Sequence, residues 1–268
     1  MRALSLKYSN LYDERFFAVQ VVTSLRSARA VAQIACQLFG PKRVVDVGCG
    51  QGAWLAAFAE LGVNEIRGVD GDYVNRDKLL FDRAKFIAVD LTRAFKIPGH
   101  YDLAICVEVA EHLPGNSSRS LVHALTQASS LVLFSAGVPG QGGSGHINEQ
   151  WPSYWRSLFA AEGFGMFDPI RPRIRENDAI CWWYRQNLVV FASEDAISRY
   201  SGLGERVIGD DIQWVHVSLL RHERNLRSSL LKVPGAMWAW SRIKPWVRSR
   251  LICPDTPTVD NVADDGAS

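Results

Sequence analysis

Apolar positions recur at helical spacing over residues 24–39, with Leu25, Ala28, Val31, Ala32, Ala35 and Leu38 on one stripe. Ser24 reads as its N-cap, and Gly40-Pro41 stops the run. A β-branched run, Arg43 to Val47, follows and breaks at Gly48-Cys49-Gly50-Gln51-Gly52. A second helical pattern then runs from Ala53 to Leu61, ended by Gly62. The alternation continues with strands at Ile66–Asp70, Lys85–Asp90, Tyr101–Val107 and Ser130–Ser135, and with a helix at Leu121–Ala128. Strands alternating with helices predict parallel pairing through right-handed crossovers. After a helix at Trp155–Ala161, strands at Gly163–Ile170 and Asn187–Ala192 follow so closely that an antiparallel addition at one sheet edge is expected. From about Glu194 the rhythm fades. Residues 209–232 read as helix, 194–253 as a helical appendage rich in Arg, Lys and Trp, and 254–268 as an acidic disordered tail.

The first glycine cluster is where chemistry enters. Glycines permit a tight turn and close approach of a ligand to the backbone, and the helix behind them offers free N–H groups at its start. The spacing is GxGxG, one residue tighter than the dinucleotide fingerprint. Asp46, just ahead of the glycines, suits a ligand carrying an ammonium and a sulfonium better than a pyrophosphate. Roughly 20 residues further, where this fold class places a ribose-binding acid, the next strand ends at Asp70. A carboxylate there can accept both hydroxyl protons of a ribose. The third strand ends at Asp90, placed to accept from an adenine amino group while Leu91 flanks the ring. Three acids at successive strand ends lie where open α/β sheets bind ligands.

These segments resemble the class I S-adenosylmethionine-dependent methyltransferases. VVDVGCGQGAWL matches their first motif, VDGDY carries the second acid, VDL the third, and YDLAICVEVAEHL is similar to the fourth-strand motif. The likeness covers about residues 10–192 and implies a Rossmann-like fold. That fold is a mostly parallel seven-stranded sheet with an antiparallel last strand and helices on both faces, within a domain spanning residues 1–193. It implies S-adenosylmethionine as cofactor, with Asp46, Gly48, Cys49, Gly50, Gly52, Asp70, Gly71, Asp90, Leu91 and Glu108 lining its site. SLRSA, GQGGSGHINEQWPSYW and WWYRQN resemble a bacterial group associated with glycan or natural-product assembly.

Candidate catalytic groups follow the fourth and fifth strands. His112 and His146 are candidate bases, because an unperturbed imidazole titrates near neutrality, and Glu111 stands beside the first. No metal is expected; the alternative is the ExxEH pattern Glu108, Glu111, His112, which resembles a divalent-metal site in some quinone-pathway O-methyltransferases. The loop Gly137–His146 reads as a mobile lid or wall. The HxNEQ cluster behind it has no evident packing role. Glu149, Trp151, Tyr154, Trp183, Tyr184 and Arg185 are the expected acceptor contacts, since aromatics interleaved with Arg suit a sugar or a phosphorylated glycoside.

Composition narrows the field. Net charge is only +2, so no nucleic-acid partner is expected. Five scattered cysteines without a CxxC pair speak against a zinc cage or a disulfide framework, and with the charged N-terminus they point to the cytoplasm. The basic, Trp-containing segment 221–250 offers peripheral contact with an anionic membrane. A homo-oligomer is left open. The expected activity is methylation of oxygen on a sugar, glycan or glycosylated small molecule. The competing readings are an NAD(P)-dependent oxidoreductase and a non-catalytic cofactor-binding partner in a biosynthetic complex.

Overall fold

The computed structural model describes residues 14–209, with only the backbone given for 14–20. The expected helix at 209–232, the basic segment, the acidic tail and Cys253 therefore lie outside the described residues. A seven-stranded sheet in the order β3-β2-β1-β4-β5-β7-β6 forms the centre. Its strands are β1 (Arg43–Val47), β2 (Glu65–Asp70), β3 (Phe86–Ala88), β4 (Leu103–Val107), β5 (Leu131–Ser135), β6 (Phe164–Phe167) and β7 (Val189–Ser193). β3, β2, β1, β4 and β5 pair in parallel, while β7 runs antiparallel between β5 and β6. The expected antiparallel addition is thus inserted, and β6 takes the edge.

β4 and β5 are buried at every position, as continuous apolar runs covered on both faces require. Alternate residues feed two cores. Val44, Leu103, Ile105, Leu131 and Val190 join the first cluster, whereas Val45, Ala104, Cys106, Val132 and Phe191 join the second. The first core is closed by α1 (Glu14–Phe39) and α2 (Ala53–Glu60), and the second by α3 (Ser118–Ala128) and α4 (Pro152–Ala161). Three short helices complete the order: α5 (Arg171–Ile174), α6 (Trp182–Asn187) and α7 (Glu194–Arg199).

Several element boundaries differ from the sequence expectation. α1 begins at Glu14, ahead of Ser24. Ser24 lies in mid-helix, and its hydroxyl meets that of Tyr184 at 3.1 Å instead of capping an N-terminus. A cap signal is local, and the helix continues through it because tertiary packing of the Ser27, Ala28, Val31 stripe decides. The strand expected at Gly163–Ile170 ends at Phe167, because Pro169 and Pro172 divert the chain into α5. Asn187 closes α6 instead of opening β7. Ala196 and Leu203, beyond β7, are buried in the first core. No helix among the described residues is long and apolar enough to cross a membrane.

Candidate active site

The sheet order reverses between β1 and β4, and open α/β sheets bind ligands in the crevice at such a switch point. At the carboxyl end of β1 the glycine loop turns back on itself. Gly48 N–H donates to Val69 O at 2.7 Å, and Gly52 N–H to Cys49 O at 2.8 Å. Gly52 adopts φ +89° immediately before α2, and a Cβ there would overlap the Phe81 ring. Gly50, at φ +52°, has nothing within 4 Å of the direction its Cβ would take. The loop is therefore closed on the protein side at Gly52 and open at Gly50. Cys49 is buried, and burial pushes its thiol up.

Asp46 and Asp70 are both buried. Oδ2 of Asp46 has no hydrogen-bond partner. Burial, then repulsion from Asp70, holds the Asp46 carboxyl well above the usual range. Asp70 accepts from Gly50 N at 2.8 Å, Gly71 N at 2.6 Å and the Tyr73 hydroxyl at 2.6 Å. Burial raises its pKa as well, against the opposing pull of those three donors. Asp90 stands apart from this pair. Its side chain is exposed and turned onto its own chain, accepting from the Thr92 hydroxyl and N–H, with Arg93 at 3.2 Å. Those contacts, the Thr92 hydroxyl foremost, lower its pKa. Leu91 is buried in the second core.

Across the crevice, Glu108 ends β4 with φ +54°, the one left-handed non-glycine residue among the described residues. Four groups hold it there. Its N–H donates to Ser135 O, and its carboxylate accepts from the Ser135 hydroxyl at 2.7 Å, Gln141 Nε2 at 3.0 Å and Asn187 Nδ2 at 3.0 Å. Gln141 Oε1 in turn accepts from Asn187 and Gln186. The ends of β4 and β5, the glycine-rich loop and α6 are thereby tied together. Ser135 and Gln141 were not singled out from the sequence; a serine closing an otherwise apolar strand was the available signal.

Glu111, His112 and His146 come together, with one ligand atom from each lying within 4.8 Å of the others. Glu108 does not join them, so the ExxEH triplet is not a geometric unit; His146 takes its place. Glu111 is fully buried, and both its oxygens lack a partner. Burial, followed by nearby Glu108, pushes its carboxyl well above the ordinary value. His112 is pushed down to about 3 by burial and by His146, whose ring it meets edge-on at 4.8 Å. It is therefore a neutral imidazole at physiological pH. His146 Nδ1 lies 3.1 Å from Glu149 Oε1, while its Nε2 lies 3.9 Å from Glu111.

The HxNEQ cluster does have a packing role. Glu149 accepts from Gly140 N at 2.7 Å and Gly142 N at 2.6 Å, so it organises the loop it follows. Burial works against its charge, but His146 and those two N–H groups outweigh it and lower its pKa. Asn148 is buried and donates to Ala110 O and Ser118 Oγ. Of the other expected acceptor contacts, Trp151 and Trp183 pack around Val138 and Trp182 as a small apolar cluster. Tyr154 stacks edge-on against Trp155. Tyr184 is buried between Trp54 and Ser24, and Arg185 is buried with Nη1 on Asp178 at 2.7 Å. Tyr184 and Arg185 thus each have a partner within the chain, while Arg185 Nε is buried without one.

A family profile described as a methyltransferase domain matches residues 23–169, more than half of the chain. The chain belongs to this methyltransferase family. The family's members use S-adenosylmethionine, and the nicotinamide reading falls away with that assignment. The domain is 33% identical over 84 residues to a ubiquinone biosynthesis O-methyltransferase of Pseudomonas aeruginosa, covering 29% of this chain and 36% of the relative. It is 36% identical over 101 residues to the protein of that name from Erwinia tasmaniensis, covering 35% and 40%. The alignments with such curated relatives thus take in between 35% and 51% of their length. Among solved structures, human N-acetylserotonin methyltransferase with S-adenosylmethionine superposes at TM-score 0.44 and 16% identity, covering 62% of this chain and 51% of that one. An O-methyltransferase from a polyketide synthase of Brevibacillus brevis, bound to S-adenosyl-L-homocysteine, gives 0.41 and 20%, covering 55% of each.

Proposed function

We propose that the chain is an S-adenosylmethionine-dependent O-methyltransferase acting on a hydroxyl carried by a planar, largely apolar small molecule. The observation that carries this is the pairing of buried Asp46, which has an oxygen without a partner, with the opening at Gly50 and the acid at Asp70. A buried carboxylate oxygen is costly unless something meets it, and a ligand ammonium is a matching group. The donor, when bound, supplies an electrophilic methyl group on a sulfonium. Oxygen–carbon bond formation and sulfur–carbon cleavage then require only alignment and removal of the hydroxyl proton, and alignment alone supplies about 7–11 kcal/mol.

His146 is the base in this reading. With its Nδ1 proton directed at Glu149, Nε2 is left with a lone pair beside the buried Glu111 carboxyl. His112, already driven to a low pKa, is a poor proton acceptor and packs against His146. The apolar group around Val138, Trp151, Trp182 and Trp183 favours a flat acceptor. The quinone-pathway relatives, matched over part of their length, agree with that class. The sugar or glycan acceptor has less support, because Tyr184 is buried against Ser24 and Arg185 is held on Asp178. The test is methyl transfer from labelled S-adenosylmethionine to a panel of catechols and free glycosides. Turnover of glycosides alone would overturn the acceptor class.

The clustering of Glu111, His112 and His146 also supports a second reading, in which they hold a divalent cation that polarises the acceptor oxygen. The two unpartnered Glu111 oxygens fit such a role. Chelation separates the two: full activity in excess chelator leaves His146 as base, whereas loss restored by added Mg²⁺ assigns it to the metal.

A further inference from the structure

Tyr73 stands in an unusual place. The residue is 74% exposed, yet its hydroxyl reaches back to Asp70 Oδ1 at 2.6 Å. Gly71 makes this fold-over feasible, since a Cβ at that position would overlap the Tyr73 ring. A carboxylate offers about four acceptor places, and Asp70 already gives two to the N–H groups of Gly50 and Gly71. The phenol takes a third. A ribose with both hydroxyls needs two, so a diol can bind fully only by expelling the phenol, whereas a ligand with one sugar hydroxyl fits beside it.

We propose that Tyr73 is a specificity-determining residue of the nucleoside site, standing in for one ribose hydroxyl until a cis-diol ligand displaces it. This rests on the reading of Asp70 as the ribose acid. The phenol raises the threshold for diol ligands, which exchange one hydrogen bond for another at that place, and leaves monohydroxyl ligands untouched. Removing the hydroxyl lets the diol gain a bond without losing one.

Calorimetric titration of S-adenosylhomocysteine and its 2′-deoxy analogue into the wild-type chain and Tyr73→Phe tests this. The variant loses the hydroxyl and keeps the ring. We expect S-adenosylhomocysteine to bind about 3–10-fold tighter to Tyr73→Phe, the value of one net hydrogen bond, with the deoxy analogue unchanged. Unchanged or weaker binding of S-adenosylhomocysteine by the variant overturns the proposal and leaves the nucleoside site intact. Equal tightening of both ligands also overturns it, since the effect would then not depend on the diol. Absence of binding to the folded wild-type chain refutes the nucleoside reading itself, and the proposal with it.

Discussion

Replacing Asp46 by Asn probes the proposed ammonium contact directly. Asp46 is 2% exposed, and its Oδ2 lacks a partner. A charge-assisted hydrogen bond to a ligand ammonium contributes about 1.5–3 kcal/mol, so the Asn variant should bind S-adenosylhomocysteine roughly 10–150-fold more weakly. 5′-Methylthioadenosine keeps the nucleoside and lacks the amino acid portion, so its affinity should hardly change. The same substitution should register in stability. Burial raises the folded-state pKa of Asp46 above its unfolded value, so the folded chain binds more protons than the unfolded one between the two. Stability of the ligand-free protein should therefore fall as pH rises through that window, and Asp46→Asn should flatten the slope. Calorimetry with both ligands, together with thermal unfolding between pH 4.5 and 7.5, reads these outcomes. Equal losses for the two ligands, or none for either, would refute the ammonium role.

His146→Ala should reduce turnover about 10²–10⁴-fold at saturating cofactor while leaving S-adenosylhomocysteine affinity within error, as steady-state rates and calorimetry can show. Gln141→Ala removes the amide that joins Glu108 to α6, and limited proteolysis should then cut faster between residues 137 and 150. Gly52→Ala forces a φ of +89° on an L-residue and drives its methyl into Phe81. It should cost about 1–3 kcal/mol and lower Tm by several degrees. Cys49 and Cys106 are buried with raised pKa values, burial being the main cause, so mass spectrometry should find both almost unalkylated by iodoacetamide at pH 8 in the native protein.

The parallel half of the sheet was legible because its strands are short apolar runs punctuated by glycine and acids. β1, β2, β4 and β5 lie within a few residues of their expected limits. The register of Asp46 and Asp70 at neighbouring strand ends followed from the same punctuation. Asp90 was placed at the right strand end, but its side chain was not legible, because a following Thr and Arg compete locally for the carboxylate. Tyr184 and Arg185 read as acceptor contacts because the short helix α6 was not anticipated. Once helical, that segment turns them toward α1 and toward Asp178. The tie between Glu108, Gln141 and Asn187 joins residues up to 79 positions apart, beyond the reach of any local pattern.

The insertion of β7 between β5 and β6 has a consequence for biogenesis. A ribosome releases β6 before its sheet partner exists, so β5 presents an open, largely apolar border until residue 193 has emerged. Nascent chains stalled between residues 170 and 190 should accordingly recruit chaperones or aggregate, and those extended past residue 193 should escape.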